Sequence, residues 1–193
     1  YRAWDFQAVM KGDGYYNLVS EFAQTYAYSS SGNDVAWFYD SAGDDFYRAW
    51  DFQAVMKGDG YYNLVSEFAQ TYAYSSSGTD IARFYDSAGD DLYRAWDFQA
   101  VMKGDGYYNL VSEFAQTYAY SSSGNDVAWF YDSAGDDFYR AWDFQAVMKG
   151  DGYYNLVSEF AQTYAYSSSG NDVAWFYDSA GDDFYRAWDF QAV

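Results

Sequence analysis

The chain has 193 residues, half of them hydrophobic and a quarter aromatic, so it is not a disordered acidic tail, which would be poor in aromatic residues. Ten Lys and Arg stand against 29 Asp and Glu, a formal charge of −19 that repels nucleic acid. Absence of Cys and His removes disulfides, thiolate zinc sites, thiol nucleophiles and the commonest general base, and no apolar run reaches the roughly 20 residues of a membrane-spanning helix.

One 46-residue unit, YRAWDFQAVMKGDGYYNLVSEFAQTYAYSSSGNDVAWFYDSAGDDF, sets the organisation. It fills residues 1–46, 47–92, 93–138 and 139–184, and a partial fifth copy occupies 185–193, so residues 1–193 form a single repeat array. Copies one, three and four are identical. In the second, Thr79, Ile81, Arg83 and Leu92 replace Asn33, Val35, Trp37 and Phe46. The divergent copy and the mid-unit start and stop, with no leader and no initial Met, favour a mature slice of a long natural chain over an engineered repeat scaffold. A surface is needed many times and an active site once, so no enzyme is expected.

Along the unit, Gly12-Asp13-Gly14, Gly32-Asn33-Asp34 and Gly43-Asp44-Asp45 are turn signatures, because Gly, Asn and Asp accept the positive φ of tight turns. Between them, Tyr15 to Phe22, Thr25 to Tyr28, Val35 to Tyr39 and Phe46 to Met56 are short and rich in aromatic and β-branched residues, which predicts strands. The absence of proline fits uninterrupted ladders. Aligning GDGYYNLVS with GNDVAWFYD divides the unit into two halves, each close to one coil of a β-helix. The predicted fold is therefore an all-β solenoid with two rungs per repeat, and four units stack to about 40 Å.

A helical reading competes at two places. Asp45 caps a helix from Phe46 with Trp50 and Ala54 on one face and Gly58 just past its end, and Leu18, Phe22 and Tyr26 stand at i, i+4 and i+8. Two helices per unit make an α/β repeat array; the aromatic, Ser and Thr content argues for the pleated alternative.

In the second copy, Val35 to Ile81 and Phe46 to Leu92 keep apolar character, as buried positions do, whereas Trp37 to Arg83 marks a surface or rim. Alternation puts positions 35 and 37 on one face, so a bend or bulge near Ala36 is expected to reconcile them.

GNDVAWFYDSAGDDF, Gly32 to Phe46, and its variant GTDIARFYDSAGDDL, Gly78 to Leu92, resemble the LYDSAGDD-type repeats of very long secreted bacterial surface proteins, planctomycete-like and distantly RTX-like. YNLVSEFAQTYAY resembles the other half of such a unit. The resemblance implies a β-solenoid, an extracellular or cell-surface location and a calcium-binding setting. The tandem G-G-x-G-x-D-x-U-x of an RTX nonapeptide is not matched; only single Gly-x-Asp turns occur.

The densest acidic group is Asp40, Asp44 and Asp45, repeated as Asp86, Asp90 and Asp91, as Asp132, Asp136 and Asp137, and as Asp178, Asp182 and Asp183, with Asp13 and Asp34 at the other turns. Calcium wants several carboxylate and carbonyl oxygens on a flexible loop, which a Gly-Asp-Asp turn can present; the plain alternative is turn-forming Asp in solvent. Half of the aromatic side chains must face the core. A role in the core alone accounts for the set most simply; any surplus suits a subunit interface, with Trp37, Arg83, Trp129 and Trp175 as its candidate residues, or a platform for sugars. Acidic pairs at the turns lack the unique position a glycosidase needs, and Ser29 to Ser31 has no basic partner to activate it.

The expectation is thus a structural segment of an extracellular fibre or cell-surface stalk, self-assembling head-to-tail or laterally through stacked rungs and aromatic layers and stabilised by calcium. The competing expectation is an adhesin that engages polysaccharide through exposed Tyr and Trp.

Overall fold

Within each unit, small or apolar side chains alternate with polar and aromatic ones at a period of two, so each segment lays one row inward and one outward. A computed structural model, which describes residues 1–188 and 191–192, has strands only and no helix among those residues. The first unit contributes β1 (Arg2–Trp4), β2 (Gln7–Gly12), β3 (Tyr15–Ser20), β4 (Gln24–Tyr28) and β5 (Val35–Tyr39). The second gives β6 (Phe46–Trp50), β7 (Gln53–Gly58), β8 (Tyr61–Ser66), β9 (Gln70–Tyr74) and β10 (Ile81–Tyr85). From the third come β11 (Leu92–Ala95), β12 (Gln99–Gly104), β13 (Tyr107–Ser112), β14 (Gln116–Tyr120) and β15 (Val127–Tyr131). The fourth supplies β16 (Phe138–Trp142), β17 (Gln145–Gly150), β18 (Tyr153–Ser158), β19 (Gln162–Tyr166) and β20 (Val173–Tyr177). In the partial fifth repeat, β21 (Ala187–Trp188) and β22 (Gln191–Ala192) form a separate antiparallel pair, while Asp189, Phe190 and Val193 lie outside the described residues.

Two ten-stranded sheets enclose the core, ordered β19-β15-β11-β12-β13-β9-β5-β1-β2-β3 and β20-β16-β17-β18-β14-β10-β6-β7-β8-β4. The first three strands of each unit form an antiparallel meander in one sheet, the fourth crosses to the opposite sheet, and the fifth returns. The next unit begins its meander in the opposite sheet, so successive units alternate sheets in a β-solenoid. Contacts from unit to unit are parallel, as in β5 with β9 and β9 with β13.

Three crossings per unit make one and a half turns, in place of the two rungs expected from the half-repeat alignment. The difference lies in the glycine turns. Asp59-Gly60 joins β7 to β8 as a hairpin, with Gly58 paired to Tyr61 and Gly60 at φ +79°, so the chain stays in its sheet there. The Gly78-Thr79-Asp80 segment, by contrast, is a loop that carries the chain across. Five strands per sheet for every two units, at about 4.8 Å each, give a rise of about 12 Å per unit.

The i, i+4 spacings that suggested helices are even numbers and fit a period of two as well. Leu18 and Tyr26 both stand on outer faces, while Trp50 and Ala54 fall on opposite faces because the Asp51-Phe52 turn separates them. β5 is regular: Ala36 and Phe38 are buried and Val35, Trp37 and Tyr39 are half-buried, so no bulge is present at Ala36. The positions of Val35 and Phe46 are outer-face positions like that of Trp37. All four differences in the second unit therefore lie outside the core, and Ala82 and Phe84 inside it are unchanged.

Alanines line much of the interior and let the sheets approach, with Tyr47, Phe84 and Phe114 filling the space between. Tyr47 meets Phe38, Phe84 and Phe114 edge-on at 6.0, 6.1 and 6.3 Å, the favoured aromatic geometry. A buried polar chain crosses this apolar layer from each of the first three units. The Tyr47 hydroxyl bonds to Thr71, Thr71 donates to Asn109 Oδ1 at 2.6 Å, and Asn109 Nδ2 returns to the carbonyls of Trp50 and Asp51 at 3.3 Å.

Candidate functional site

Parallel register builds the acidic clusters. β6 and β10 pair with Phe46 beside Ile81, so the residues just before them, Asp45 and Asp80, arrive together. Asp40 follows β5 directly and reaches the same corner. One carboxylate oxygen from each of Asp40, Asp45 and Asp80 lies within 4.8 Å of the others, and the cluster repeats as Asp86, Asp91, Asp126 and as Asp132, Asp137, Asp172. Each triad joins two consecutive units.

The carboxylates are held by donors. Asp45 accepts from the Ser41 backbone N–H at 3.1 Å and from the Tyr61 hydroxyl at 2.7 Å, and its own N–H donates to Asp80 Oδ1 at 2.6 Å. Asp80 also accepts from the Ser75 hydroxyl. Asp40 accepts from the Ser76 N–H at 2.7 Å and the Ser76 hydroxyl at 2.8 Å. Burial pushes Asp80 and Asp126 above the usual carboxylate range, with neighbouring carboxylates adding to the shift and the serine and backbone donors opposing it. Burial also raises Tyr61, Tyr107 and Tyr153, whose hydroxyls donate to Asp45, Asp91 and Asp137.

Asp44, Asp90 and Asp136, grouped with these residues by sequence proximity, turn away from the triads. They accept from the backbone N–H groups of Thr79, Asn125 and Asn171 at 2.8, 2.9 and 2.8 Å and tie down the loop of the following unit. The third place in each triad is filled by Asp80, Asp126 or Asp172, 35 residues after Asp45, Asp91 or Asp137. In the fourth unit Asp178, Asp182 and Asp183 form no such triad among the described residues, since the third carboxylate elsewhere comes from a following unit. Asp183 there accepts from the Ser179 hydroxyl at 3.3 Å.

The second repeated feature is the outer aromatic face. Trp4, Tyr39 and Tyr74 stack at 5.7 and 5.5 Å, Trp50, Tyr85 and Tyr120 at 6.2 and 5.2 Å, and Trp96, Tyr131 and Tyr166 at 5.7 and 5.4 Å. Arginines lie against the rings: Arg48 is 4.3 Å from Trp50 and 4.5 Å from Tyr85. The four interface candidates occupy a neighbouring outer row. Trp37 and Trp129 are half-buried under Arg2 and Arg94, each 4.6 Å from its ring. Arg83 is exposed and sits 5.4 Å from Phe46, and Trp175 is exposed, with its ring 5.3 Å from that of Phe138. Asp80 as a triad member, Tyr61 as its support and the Tyr–Thr–Asn chain had no local signature; only their recurrence at fixed positions of the unit marks them.

Comparison with protein-family models, with curated proteins and with solved structures returned no match. Geometry and residue chemistry carry the functional reading.

Proposed function

We propose that the chain is a structural segment of an extracellular fibre or cell-surface stalk, a rod whose length is set by its number of repeats and whose corners are braced by calcium. One observation carries the reading: each of the first three units is completed by the next. Its strands, its buried polar chain and its acidic triad all take a partner from the following repeat, as Thr71 takes Asn109 and Asp45 takes Asp80. An array built this way has no hinge between units and extends by stacking. The likeness of GNDVAWFYDSAGDDF to repeats of secreted bacterial surface proteins supports the extracellular setting.

The triads suit a hard cation. Three carboxylates converge, each oxygen already fixed by a serine, tyrosine or backbone donor keeps a second lone pair, and calcium accepts six to eight oxygens in flexible geometry. Electron microscopy and small-angle scattering test the reading. The longest dimension grows by about 12 Å for each unit added, and it holds or sharpens with calcium. A dimension that does not follow unit number removes the rod.

A glycan-binding reading rests on the stacked outer ladders, whose parallel rings at 5.2 to 6.2 Å offer a platform for sugar faces. Retention on immobilised polysaccharide by a chain that stays monomeric favours it over the fibre.

A further inference from the structure

A polypeptide of these 193 residues exposes at its two ends complementary halves of the interface that joins its interior units. At one end, β3 and β4 are the free edges of the two sheets; at the other, β19 and β20 are. Side chains that are core elsewhere are bare at these edges. Phe22 is 56% exposed where its equivalent Phe68 is 1%, and Phe176 is 50% exposed where Phe130 is 0%.

We propose that a second copy of this chain docks end-on, adding its β3 to β19 and its β4 to β20 in the register that the interior units use. This rests on the fibre reading and names its joint. Inside the chain, a QTYAY strand pairs with the YYNLVS strand of the next unit, Thr71 opposite Asn109, and a VAWFY strand pairs with the next QTYAY strand, Trp129 opposite Tyr164. The same rule sets Thr163 opposite Asn17 of the second copy and Trp175 opposite Tyr26 of the second copy.

Both edges match at once. β19 and β3 belong to one sheet and β20 and β4 to the other, so the two sheets of one copy continue into the corresponding sheets of the next. The joint also supplies what each end lacks. Phe22 of the incoming copy takes against Tyr139 the place that Phe114 takes against Tyr47. Asn17 meets the Thr163 hydroxyl, which already bonds to Tyr139 at 2.8 Å. Asp34 joins Asp178 and Asp183 as Asp80 joins Asp40 and Asp45. Contact is head-to-tail rather than two-fold, so it does not close on itself and repeats without limit.

Tyr185 to Trp188 has the same sequence as Tyr1 to Trp4, and at such a joint the two segments compete for one place. A chain ending at Phe184 has no competitor for it and associates at lower concentration.

Since the chain contains no cysteine, a variant carrying both Trp175→Cys and Tyr26→Cys reports the joint directly. Both positions are exposed outer-face sites on edge strands, so the core is untouched. Under mild oxidation the double variant gives a ladder of covalent multiples on a denaturing gel, each single variant, with no cysteine opposite it at the joint, stays a monomer there, and ending the chain at Phe184 shifts the ladder upward. Filaments without a ladder overturn this register while leaving the fibre reading in place. A chain that stays monomeric at every concentration overturns end-on docking; a rod length that still follows unit number then shows that the structural reading survives without it.

Discussion

Thr71 donates its hydroxyl hydrogen to Asn109 Oδ1 at 2.6 Å, across 38 residues and from one repeat into the next. Tyr47 bonds to the same hydroxyl from the opposite sheet, and Asn109 Nδ2 returns to the carbonyl of Trp50, on the strand that carries Tyr47. Both sheets and two units are tied by one buried ring of hydrogen bonds. Thr71→Val keeps the shape and removes the hydroxyl, leaving Asn109 and Tyr47 unsatisfied in the core, so a loss of about 1–3 kcal/mol is expected in chemical denaturation. The exposed change Thr79→Asn, which restores the residue of the other units, serves as the neutral control.

Adjacent positions 83 and 84 face opposite ways. Arg83→Trp returns the outer-face residue of the other units and is expected to move stability by no more than about 0.5 kcal/mol. Phe84→Ala opens a cavity between Tyr47 and Tyr93 and is expected to cost about 3–5 kcal/mol. Equal effects from the two would refute the assignment of inner and outer faces.

Calcium and acid are expected to act in the same direction at the triads. Asp80 and Asp126 have folded pKa values above the ordinary 3.8, so in the window above 3.8 the folded chain holds more protons than the unfolded one. Stability attributable to these groups therefore falls as pH rises through that window and levels off above it. Calcium at neutral pH balances the same partly buried charge, and a concentration of 100 Kd adds about 2.7 kcal/mol per site. Melting temperature measured with calcium and with chelator is expected to differ in the parent chain and to converge once Asp45, Asp91 and Asp137 are all Asn.

Alkali is expected to unfold the array through its core phenols. Burial raises Tyr47 and Tyr93 well above 10, and Tyr1 to about 12, with the threonine hydrogen bonds opposing the shift. Their contribution is complete below pH 10 and declines as pH rises beyond it, since the unfolded chain loses those protons first. Tyrosinate absorbance is expected to rise in two phases, the second coinciding with loss of the β-sheet circular dichroism signal. A single phase that precedes unfolding would contradict the buried placement.

Glu21, Glu67, Glu113 and Glu159 all have positive φ, 62° to 66°, where the chain leaves the meander for the opposite sheet. A non-glycine residue in the left-handed region carries roughly 1–2 kcal/mol of strain, partly offset in any glycine replacement by backbone entropy. Glu113→Gly is expected to raise stability by up to about 1 kcal/mol, measured by denaturant titration.

How far the sequence reaches is visible in particular residues. The 46-residue period, the presence of strands and a turn at Asp59-Gly60 follow from patterns within a few residues, because side-chain alternation and positive φ are local properties. The single strand read from Phe46 to Met56 is instead β6 and β7, joined by a hairpin at Asp51-Phe52 that carries no glycine. Local patterns sufficed for an all-β solenoid and for Asp40 and Asp45 as triad members. They did not separate Val35, on the outer face, from Ala36, on the inner, since either row of an aromatic-rich strand can be buried. The number of crossings per unit was likewise undetermined, because Gly-Asp turns of similar composition either fold a hairpin within one sheet or carry the chain across.

Only the tertiary structure decided which carboxylates meet. Asp44 lies next to Asp45 in the chain yet bonds to Thr79, while Asp80 joins Asp45 because parallel pairing sets Phe46 beside Ile81. Local sequence determines what each strand is; the offset between neighbouring strands comes from packing two sheets around a shared core, and that offset places the site.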